Sequence, residues 1–313
     1  MVFSIRKSDL SERGGSGSMG GPGRDEDNIG GEWMMRGRTR GVLRLMRDLP
    51  LPAILLLLPV SLCGVVGQFF TPHDPGAINP GVSLRPPSWT YLFGTDYLGR
   101  DVLSRVIVGA RASLLVSFTG VVLAGIIGVL LGLIAAYFGG RLDTLVMRLV
   151  DIQMSMPAVL LALLLSASLG AGLTTVIVVI AIVYWTHYTR VVRGETLSVK
   201  QRDFVVMARV LGCPTRRILM KHILPNVIDS ALVVATLQLG TAVMLEAALS
   251  FLGLGVQPPA VAWGKMIAEA RLYISTAWWL PTFPGLAIVM TVLGANLLGD
   301  WLRDKLDPKL RQI

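Results

Sequence analysis

Residues 195–225 read ETLSVKQRDFVVMARVLGCPTRRILMKHILP. This passage is polar and strongly basic, and it lies between apolar segments of membrane-spanning composition. Inside it, Phe204, Met207, Ala208 and Leu211 are spaced i, i+3, i+4 and i+7, which predicts one apolar face of a short helix. A loop that is free in water does not need such a face, so we expect something to cover it.

The same passage contains the signals of a tight turn. Gly212 allows a left-handed helix cap, and Pro214 prevents the helix from continuing. A second short helix is expected over residues 215–224, ending at Pro225. The membrane surface or the chain's own core could cover the apolar face of this helix–turn–helix. A docking surface for a partner protein is the more specific hypothesis.

Composition places the chain among polytopic membrane proteins. Of its 313 residues, 53% are hydrophobic and only 16% are charged, whereas soluble domains usually contain about 25% charged residues. Several apolar runs reach the roughly 18 residues that suggest a spanning helix. The net charge of +9 is concentrated in the N-terminal tail and the polar loops. We therefore interpret it as a topology signal and predict no nucleic-acid binding.

Six apolar runs are predicted to span the membrane, which makes the fold an all-α polytopic membrane protein. Pro59 could bend the first run, and Pro157 lies near the start of the short third run. The second would reach about 37 Å, enough to cross the bilayer with tilt. Just before it, residues 102–107 show a helical spacing that predicts an interfacial amphipathic helix leading into this span. The six predicted spans are residues 51–70, 114–138, 154–169, 173–188, 227–251 and 282–302.

Four regions follow from these runs. Residues 1–48 are rich in Gly, Ser, Arg and acidic residues. They are predicted to be a disordered cytoplasmic tail, because they cannot bury enough apolar surface to fold. Residues 49–112 contain the first span and an outer connection, and residues 113–302 form a core permease domain with the other five spans and the 195–225 loop. Residues 303–313 are predicted to be a cytoplasmic C-terminus.

The distribution of Lys and Arg predicts the orientation in the membrane. With the N-terminus inside, the inner connections and termini contain 23 of these residues and the outer connections contain 6. Positively charged connections favour the cytoplasm. Both termini and the 195–225 loop are therefore predicted to be cytoplasmic.

Small residues recur along the second predicted span. Ala124, Gly128, Gly132 and Ala136 are spaced by four, and small residues at that spacing let helices approach closely in lipid. We expect them to pack against another helix, either within this chain or on a second permease.

Acidic residues lie in and beside the spans. Glu246 is expected in the outer half of the fifth span, where a carboxylate at the bilayer centre would cost about 2.5 to 3.5 kcal/mol. It could line a transport pathway, pair with a nearby Arg or lie at the membrane interface. Asp143 and Asp151 flank Arg148, and local ion pairing at the membrane edge explains them.

The sequence contains no motif that predicts a catalytic, metal-binding or nucleotide-binding site. His73, His187 and His222 are far apart and lack metal-ligand spacing, so no metal site is expected. No nucleotide-binding loop is present, and we predict no catalytic residue and no cofactor. If the chain takes part in ATP-driven transport, the hydrolysis must occur on another subunit.

Four motifs resemble those of one family. Ala208-Arg-Val-Leu-Gly212, with Ile218 and Leu224-Pro225 downstream, resembles the cytoplasmic loop of ABC importer permeases. Val206 and Met207 stand where that family usually has Glu and the first Ala. The other three motifs resemble the dipeptide, oligopeptide and nickel subfamily, and the C-type permease of each pair is most similar. They are GTDYLGRDVLSRVIVGAR at residues 94–111, EAALSFLGLGVQPP at 246–259 and NLLGDWLRDKLDP at 296–308.

The resemblance implies a type I ABC importer permease that forms a pathway for dipeptides, oligopeptides or a related small solute. It implies as partners a second homologous permease, two ATP-binding subunits or one fused ATPase, and an extracytoplasmic solute-binding protein, at a bacterial or archaeal inner membrane. The 195–225 loop would then contain the helix that couples the permease to the ATPase. The coupling residues that it implies are Phe204, Met207, Ala208, Arg209, Leu211, Gly212, Pro214, Arg216 and Pro225.

A stand-alone secondary transporter or channel is the alternative. Such proteins are expected to show paired acidic residues within the spans and inverted repeats with broken helices. Only Glu246 is a candidate, and no clear repeat is visible. A membrane-embedded enzyme would need a nucleophile and base, or metal ligands, at one depth, and the sequence offers none.

Overall fold

The computed structural model describes residues 50–306, which are folded into helices without a strand in that range. The all-α prediction is thus confirmed there. The tail predicted over residues 1–48 and the end of the 303–313 segment lie outside the described residues. The helices of eight or more residues are α1 (Leu51–Val66), α2 (Val102–Phe138), α3 (Gly140–Met154), α4 (Ala158–Leu169), α5 (Leu173–Val199), α6 (Asp203–Val210), α7 (Leu224–Phe251), α8 (Trp263–Ala270) and α9 (Trp279–Leu306).

Four helical stretches are long and apolar enough to cross a membrane. They are α2, α5, α7 with the turns before it (Thr215–Phe251), and α9. α3 and α4 meet the same criterion only as a pair, which is bent by 92° at the break between them. α1 is apolar but has only 16 residues. Each of the six predicted segments coincides with a helix or the bent pair, and by length and composition four or five of them qualify as spans.

The second span is longer than predicted. α2 begins at Val102 rather than near residue 114, and it is continuous to Phe138. The helix predicted over residues 102–107 is present and forms the first turns of α2. The Asp101 side chain accepts a hydrogen bond from the N–H of Ser104 at 3.0 Å, which caps the helix at this earlier point.

The break between α3 and α4 coincides with Pro157, which directly precedes α4. Gln153 fastens the end of α3 to α5 beside this break. Its Nε2 donates to the carbonyl oxygens of Ile182 and Val183 at 2.7 and 3.1 Å. Its Oε1 accepts from Nε1 of Trp185 at 2.9 Å. Gln153 thus joins the end of α3 to α5 through three hydrogen bonds.

Pro225 does not end a helix. Thr215–Arg217 forms one helical turn, Ile218–Ile223 is π-helical, and α7 begins at Leu224. The prediction of a helix over residues 215–224 that stops at Pro225 is therefore wrong. Pro225 lies in the first turn of α7, and the π-helical turn before it continues directly into that helix. From the sequence alone, a proline at the start of a helix cannot be distinguished from a proline that ends the preceding one.

α2 and α5 approach closely through the four small residues of α2, all of which are buried. A Cβ atom on Gly128 would lie 2.4 Å from the carbonyl oxygen of Trp185, and one on Gly132 would lie 2.8 Å from that of Thr189. Neither position accepts a larger residue unless the helices separate. The partner of the small-residue stripe is therefore a helix of this chain.

Gly128→Ala should destabilise the fold. Its Cβ has to displace backbone atoms of α5, and overpacking of this kind costs about 1 to 3 kcal/mol. Gly194→Ala is the matched control, because Gly194 lies in α5 with nothing within 4 Å of its Cβ position. Thermal unfolding of the detergent-purified protein should show a lower Tm for Gly128→Ala only. An equal Tm for Gly128→Ala and the natural protein would contradict the close packing.

Candidate coupling segment and outer polar network

α6 ends in the turn that the sequence predicts. Gly212 has a φ of +73°, a left-handed conformation that favours glycine. The N–H of Cys213 donates to the carbonyl oxygen of Ala208 at 3.0 Å, which closes the helix in a Schellman-type cap. Pro214 follows, and the turn Thr215–Arg217 begins directly after it.

α6 has an inner and an outer apolar face. Val205 and Ala208 are buried in the core of this chain. Phe204, Met207 and Leu211 point outward, with 42%, 63% and 81% of their surfaces exposed. The prediction that Ala208 shares one outward-facing side of the helix with these three residues is therefore wrong. Because α6 is apolar on both sides, the periodicity could not tell which stripe points inward.

The outer face also includes a residue that the sequence analysis missed. Val210 is 76% exposed and lies between Met207 and Leu211 on the helix surface. We call Phe204, Met207, Val210 and Leu211 the docking face. The other predicted coupling residues Gly212, Pro214, Arg216 and Pro225 are exposed as well. The ATPase-coupling role of these residues stays a prediction.

Arg209 contacts its own chain. Its guanidinium carbon lies 5.8 Å from the centroid of the Tyr137 ring, in the last turn of α2. A cation over an aromatic face at this distance is attractive. The structure therefore connects Arg209 to the end of α2 as well as to residues 195–225, which we call the coupling segment.

Two ion pairs hold α3 against α5. Arg193 donates through Nε and Nη2 to the two carboxylate oxygens of Asp143, at 2.5 and 2.7 Å. Arg190 donates to Asp151 at 2.8 Å. The local ion pairs predicted around Arg148 are therefore wrong. The observed partners, Arg190 and Arg193, lie in α5, about 40 to 50 residues later in the chain. Local spacing along the sequence does not reveal such pairs.

A second cluster of charges lies at the opposite end of α2. Asp96 accepts from Nε of Arg100 at 2.6 Å and also from Nη1 of Arg105. Glu269 on α8 accepts from Nη2 of Arg100 at 3.2 Å and from Nη2 of Arg105 at 3.0 Å. These four side chains, which we call the outer network, are largely buried. The motif at residues 94–111 contains three of them, but Glu269 is too distant in sequence to be recognised as the fourth.

Lys265 adds a further positive charge beside the outer network. Burial lowers the pKa of Lys265, the nearby Glu269 raises it, and Arg105 and Arg100 lower it further. Glu269 is thus the carboxylate on α8 that offsets the three cations. Among residues 50–306, Asp96 is the other carboxylate that pairs with Arg100 and Arg105.

Aromatic contacts join the outer connection to the start of α9. Trp279 donates from Nε1 to the carbonyl oxygen of Thr95 at 3.2 Å. The rings of Phe93 and Phe283 stack with their centroids 3.8 Å apart. Together with the outer network, these contacts fasten the connection between α1 and α2 onto α8 and α9.

Glu269→Gln should loosen this outer assembly. Removing one carboxylate leaves partly buried guanidinium groups without full compensation, at a cost of about 2 to 3 kcal/mol because the site is not fully dry. Faster tryptic cleavage within the outer connection and a lower Tm are the expected readouts. Asp74→Asn, an exposed change in the same connection, is the control. If the two variants behave alike, the outer network does not fasten the connection.

Glu246 is fully buried near the end of α7. Ser250 donates to its Oε1 at 2.6 Å, and the Ser250 hydroxyl accepts from the N–H of Val256 at 3.3 Å. The carboxyl group thereby helps to fix the turn that follows α7. No arginine is its hydrogen-bond partner among the described residues, and the pathway role stays a prediction.

Within residues 50–306, no group of three or more His, Cys, Asp or Glu side chains could hold a metal ion. A cavity of about 200 Å³ lies between α1, α2 and α9. Its walls are apolar, and they include Cys63, Phe93, Trp263 and Met290. Such a cavity offers no charged partner for the termini of a peptide.

Comparison with known proteins identifies the family. Residues 128–312 match the model of the binding-protein-dependent transport system inner membrane component. The chain belongs to this family. It is a permease subunit of such a transport system, and the resemblance drawn from the sequence motifs is confirmed.

Curated relatives cover most of the chain. It is 44% identical over 267 residues to the di/tripeptide transport system permease protein DppC of Pseudomonas aeruginosa, covering 83% of this chain and 88% of that protein. It is 39% identical over 277 residues to the probable D,D-dipeptide transport system permease protein DdpC of Escherichia coli, covering 88% and 90%. These relatives match the chain over nearly their whole length.

A solved structure has a similar fold. The MetNI methionine ABC transporter in an inward-facing conformation matches with a TM-score of 0.54 and 19% identity, over 65% of this chain and 96% of that one. At this identity the likeness shows the fold alone. It confirms the predicted ABC importer permease architecture.

Proposed function

We propose that this chain forms the membrane pathway for dipeptides, oligopeptides or a related small solute together with a second, homologous permease. ATP-binding subunits drive the cycle from the cytoplasm and contact the docking face on α6. The observation that carries this proposal is the docking face itself, since it combines four exposed apolar side chains on a helix outside the spans.

An exposed apolar face of this kind favours a protein partner. Soluble surfaces rarely expose contiguous apolar patches without a function. The docking face is rigid, because the inner face of α6 is anchored in the core through Val205 and Ala208. It is flanked by Arg202, Arg216 and Arg217, so a partner with acidic groups around an apolar groove would fit it.

The absence of a nucleotide-binding loop in the sequence supports a division of labour. The chain has no Walker pattern, so ATP hydrolysis belongs to another subunit and this chain is a non-catalytic part of the complex. A ligand can shift a conformational equilibrium only through interactions that differ between the states. The nucleotide must therefore act on the permease through a protein contact, and the docking face provides a surface for it.

The apolar cavity does not provide the proposed pathway. Peptides have a charged amino group and a carboxylate, which are costly to bury without partners. Because the cavity between α1, α2 and α9 is apolar, it does not suit them. The relatives' names indicate small peptides as the substrate class.

A solute-binding protein is the proposed partner on the outer side. The outer connection and the segment before α9 expose large apolar side chains, with Trp89 97% and Leu272 84% exposed. The outer network and the stacked aromatic rings hold these segments in place. Such a fixed and partly apolar surface suits a protein that delivers substrate. In the proposed orientation both chain termini are cytoplasmic, as the Lys and Arg distribution predicts.

Gly212→Val should abolish substrate uptake and the stimulation of ATP hydrolysis while leaving membrane insertion intact. Gly212 has a left-handed backbone conformation, with nothing within 4 Å of its Cβ position. The cost of the substitution is therefore backbone strain of about 1 to 2 kcal/mol. This strain changes the turn beside the docking face. Gly194→Val is the control, because Gly194 has similar free space in a helical conformation.

Transport and ATPase rates of the assembled importer in proteoliposomes are the measurements. Normal transport by Gly212→Val would count against the docking role. Purification of the natural chain without any ATP-binding subunit would instead favour a stand-alone transporter.

A further inference from the structure

Two contacts connect the coupling segment to the last turn of α2. Lys200, just after α5, donates from Nζ to the carbonyl oxygen of Ala136 at 2.6 Å. Arg209 on α6 lies over the ring of Tyr137, the next residue of α2. The last carbonyls of a helix lack intrahelical partners and carry partial negative charge, so cations are favoured there. Both cations therefore hold α2 at its C-terminal end.

α2 then runs without interruption to the outer network. Its 37 residues correspond to about 55 Å at 1.5 Å per residue, and the helix contains no proline. At its start, Asp101 caps the helix, and Arg105 binds Asp96 and Glu269. One unbroken helix thus touches the coupling segment at one end and the outer network at the other.

The contacts on the two faces of the coupling segment differ in strength. Val205 and Ala208 anchor α6 by burial in the core. The Arg209–Tyr137 contact involves an exposed arginine, and such contacts are individually weak. Burial of Val205 and Ala208 accounts for the attachment of α6 to the chain. The cationic contacts are additional and are directed specifically at α2.

We propose that α2 transmits movement of the coupling segment to the outer network. Arg209, Tyr137 and Lys200 are the positioning residues that connect α2 to the coupling segment. This inference rests on the proposed function, because it requires an ATPase that moves the docking face. It assigns Arg209 to the transmission of that movement within the chain. The ATPase itself would be contacted by the docking face.

Tyr137→Leu and Lys200→Met should uncouple hydrolysis from transport. The number of substrates imported per ATP is expected to fall about three-fold for Tyr137→Leu, given the strength of an exposed cation–π contact. For Lys200→Met it should fall about ten-fold, since a hydrogen bond from a charged group is lost. Tyr137→Phe and Lys200→Arg keep the ring face and the charge, and both should retain the natural ratio. Lys221→Gln, an exposed change on the same segment, is the charge control.

A readout at the outer end separates transmission from a merely structural role. Leu272 lies three residues after Glu269 and is largely exposed, so Leu272→Cys can report on this region once Cys63 and Cys213 are replaced by serine. Its labelling rate with a polar maleimide should differ between the nucleotide-free and the nucleotide-trapped importer. Tyr137→Leu should reduce that difference, and Tyr137→Phe should preserve it.

The results distinguish failure of the proposed function from failure of this inference. If no ATP-binding subunit assembles with the natural chain, the proposed function fails, and this inference fails with it. If the importer assembles and transports, the inference alone is overturned by either of two results. One is an unchanged substrate-to-ATP ratio in Tyr137→Leu and Lys200→Met. The other is a nucleotide-dependent labelling change that is as large in Tyr137→Leu as in the natural chain.

Discussion

The close approach of α2 and α5 is the constraint on which the rest of the structure depends. A glycine in α2 lets the backbones come so near that even a methyl group at Gly128 would meet the carbonyl oxygen of Trp185 at 2.4 Å. In lipid there is little hydrophobic drive between helices, so packing of this kind supplies much of their association. Because α5 leads directly into the coupling segment, this contact also sets where α6 lies.

Charge is placed mainly at the ends of this helix pair. At one end, Arg193 pairs with Asp143, and Lys200 caps α2. At the other end, the outer network joins α2 to α8. Between them the buried groups of α2 are small or apolar, apart from a few hydroxyl groups. This division follows from the cost of an uncompensated charge in the bilayer, and it leaves both ends free to recognise partners of different chemistry.

The sequence predicts the helical segments and the coupling turn well, for physical reasons. Apolar runs of membrane length have few alternatives to a helix, and Gly212 followed by Pro214 determines where α6 ends. The sequence does not predict the inner face of α6, because Val205 and Ala208 form a second apolar stripe beside the first. It also misses Glu269 and the partners of Asp143, since both pairings join residues far apart in the chain. The start of α2 depends on the Asp101 cap, which lies within a polar motif.

Accessibility of the docking face shows whether ATP-binding subunits cover α6 on the cytoplasmic side. In a chain whose Cys63 and Cys213 are serine, Leu211→Cys would be labelled with a membrane-impermeant thiol reagent in inside-out vesicles and in intact cells. Rapid labelling is expected only in inside-out vesicles that contain the permease alone, with protection once the ATP-binding subunits are co-expressed. Labelling from outside intact cells, or labelling that the ATP-binding subunits do not affect, would contradict this expectation.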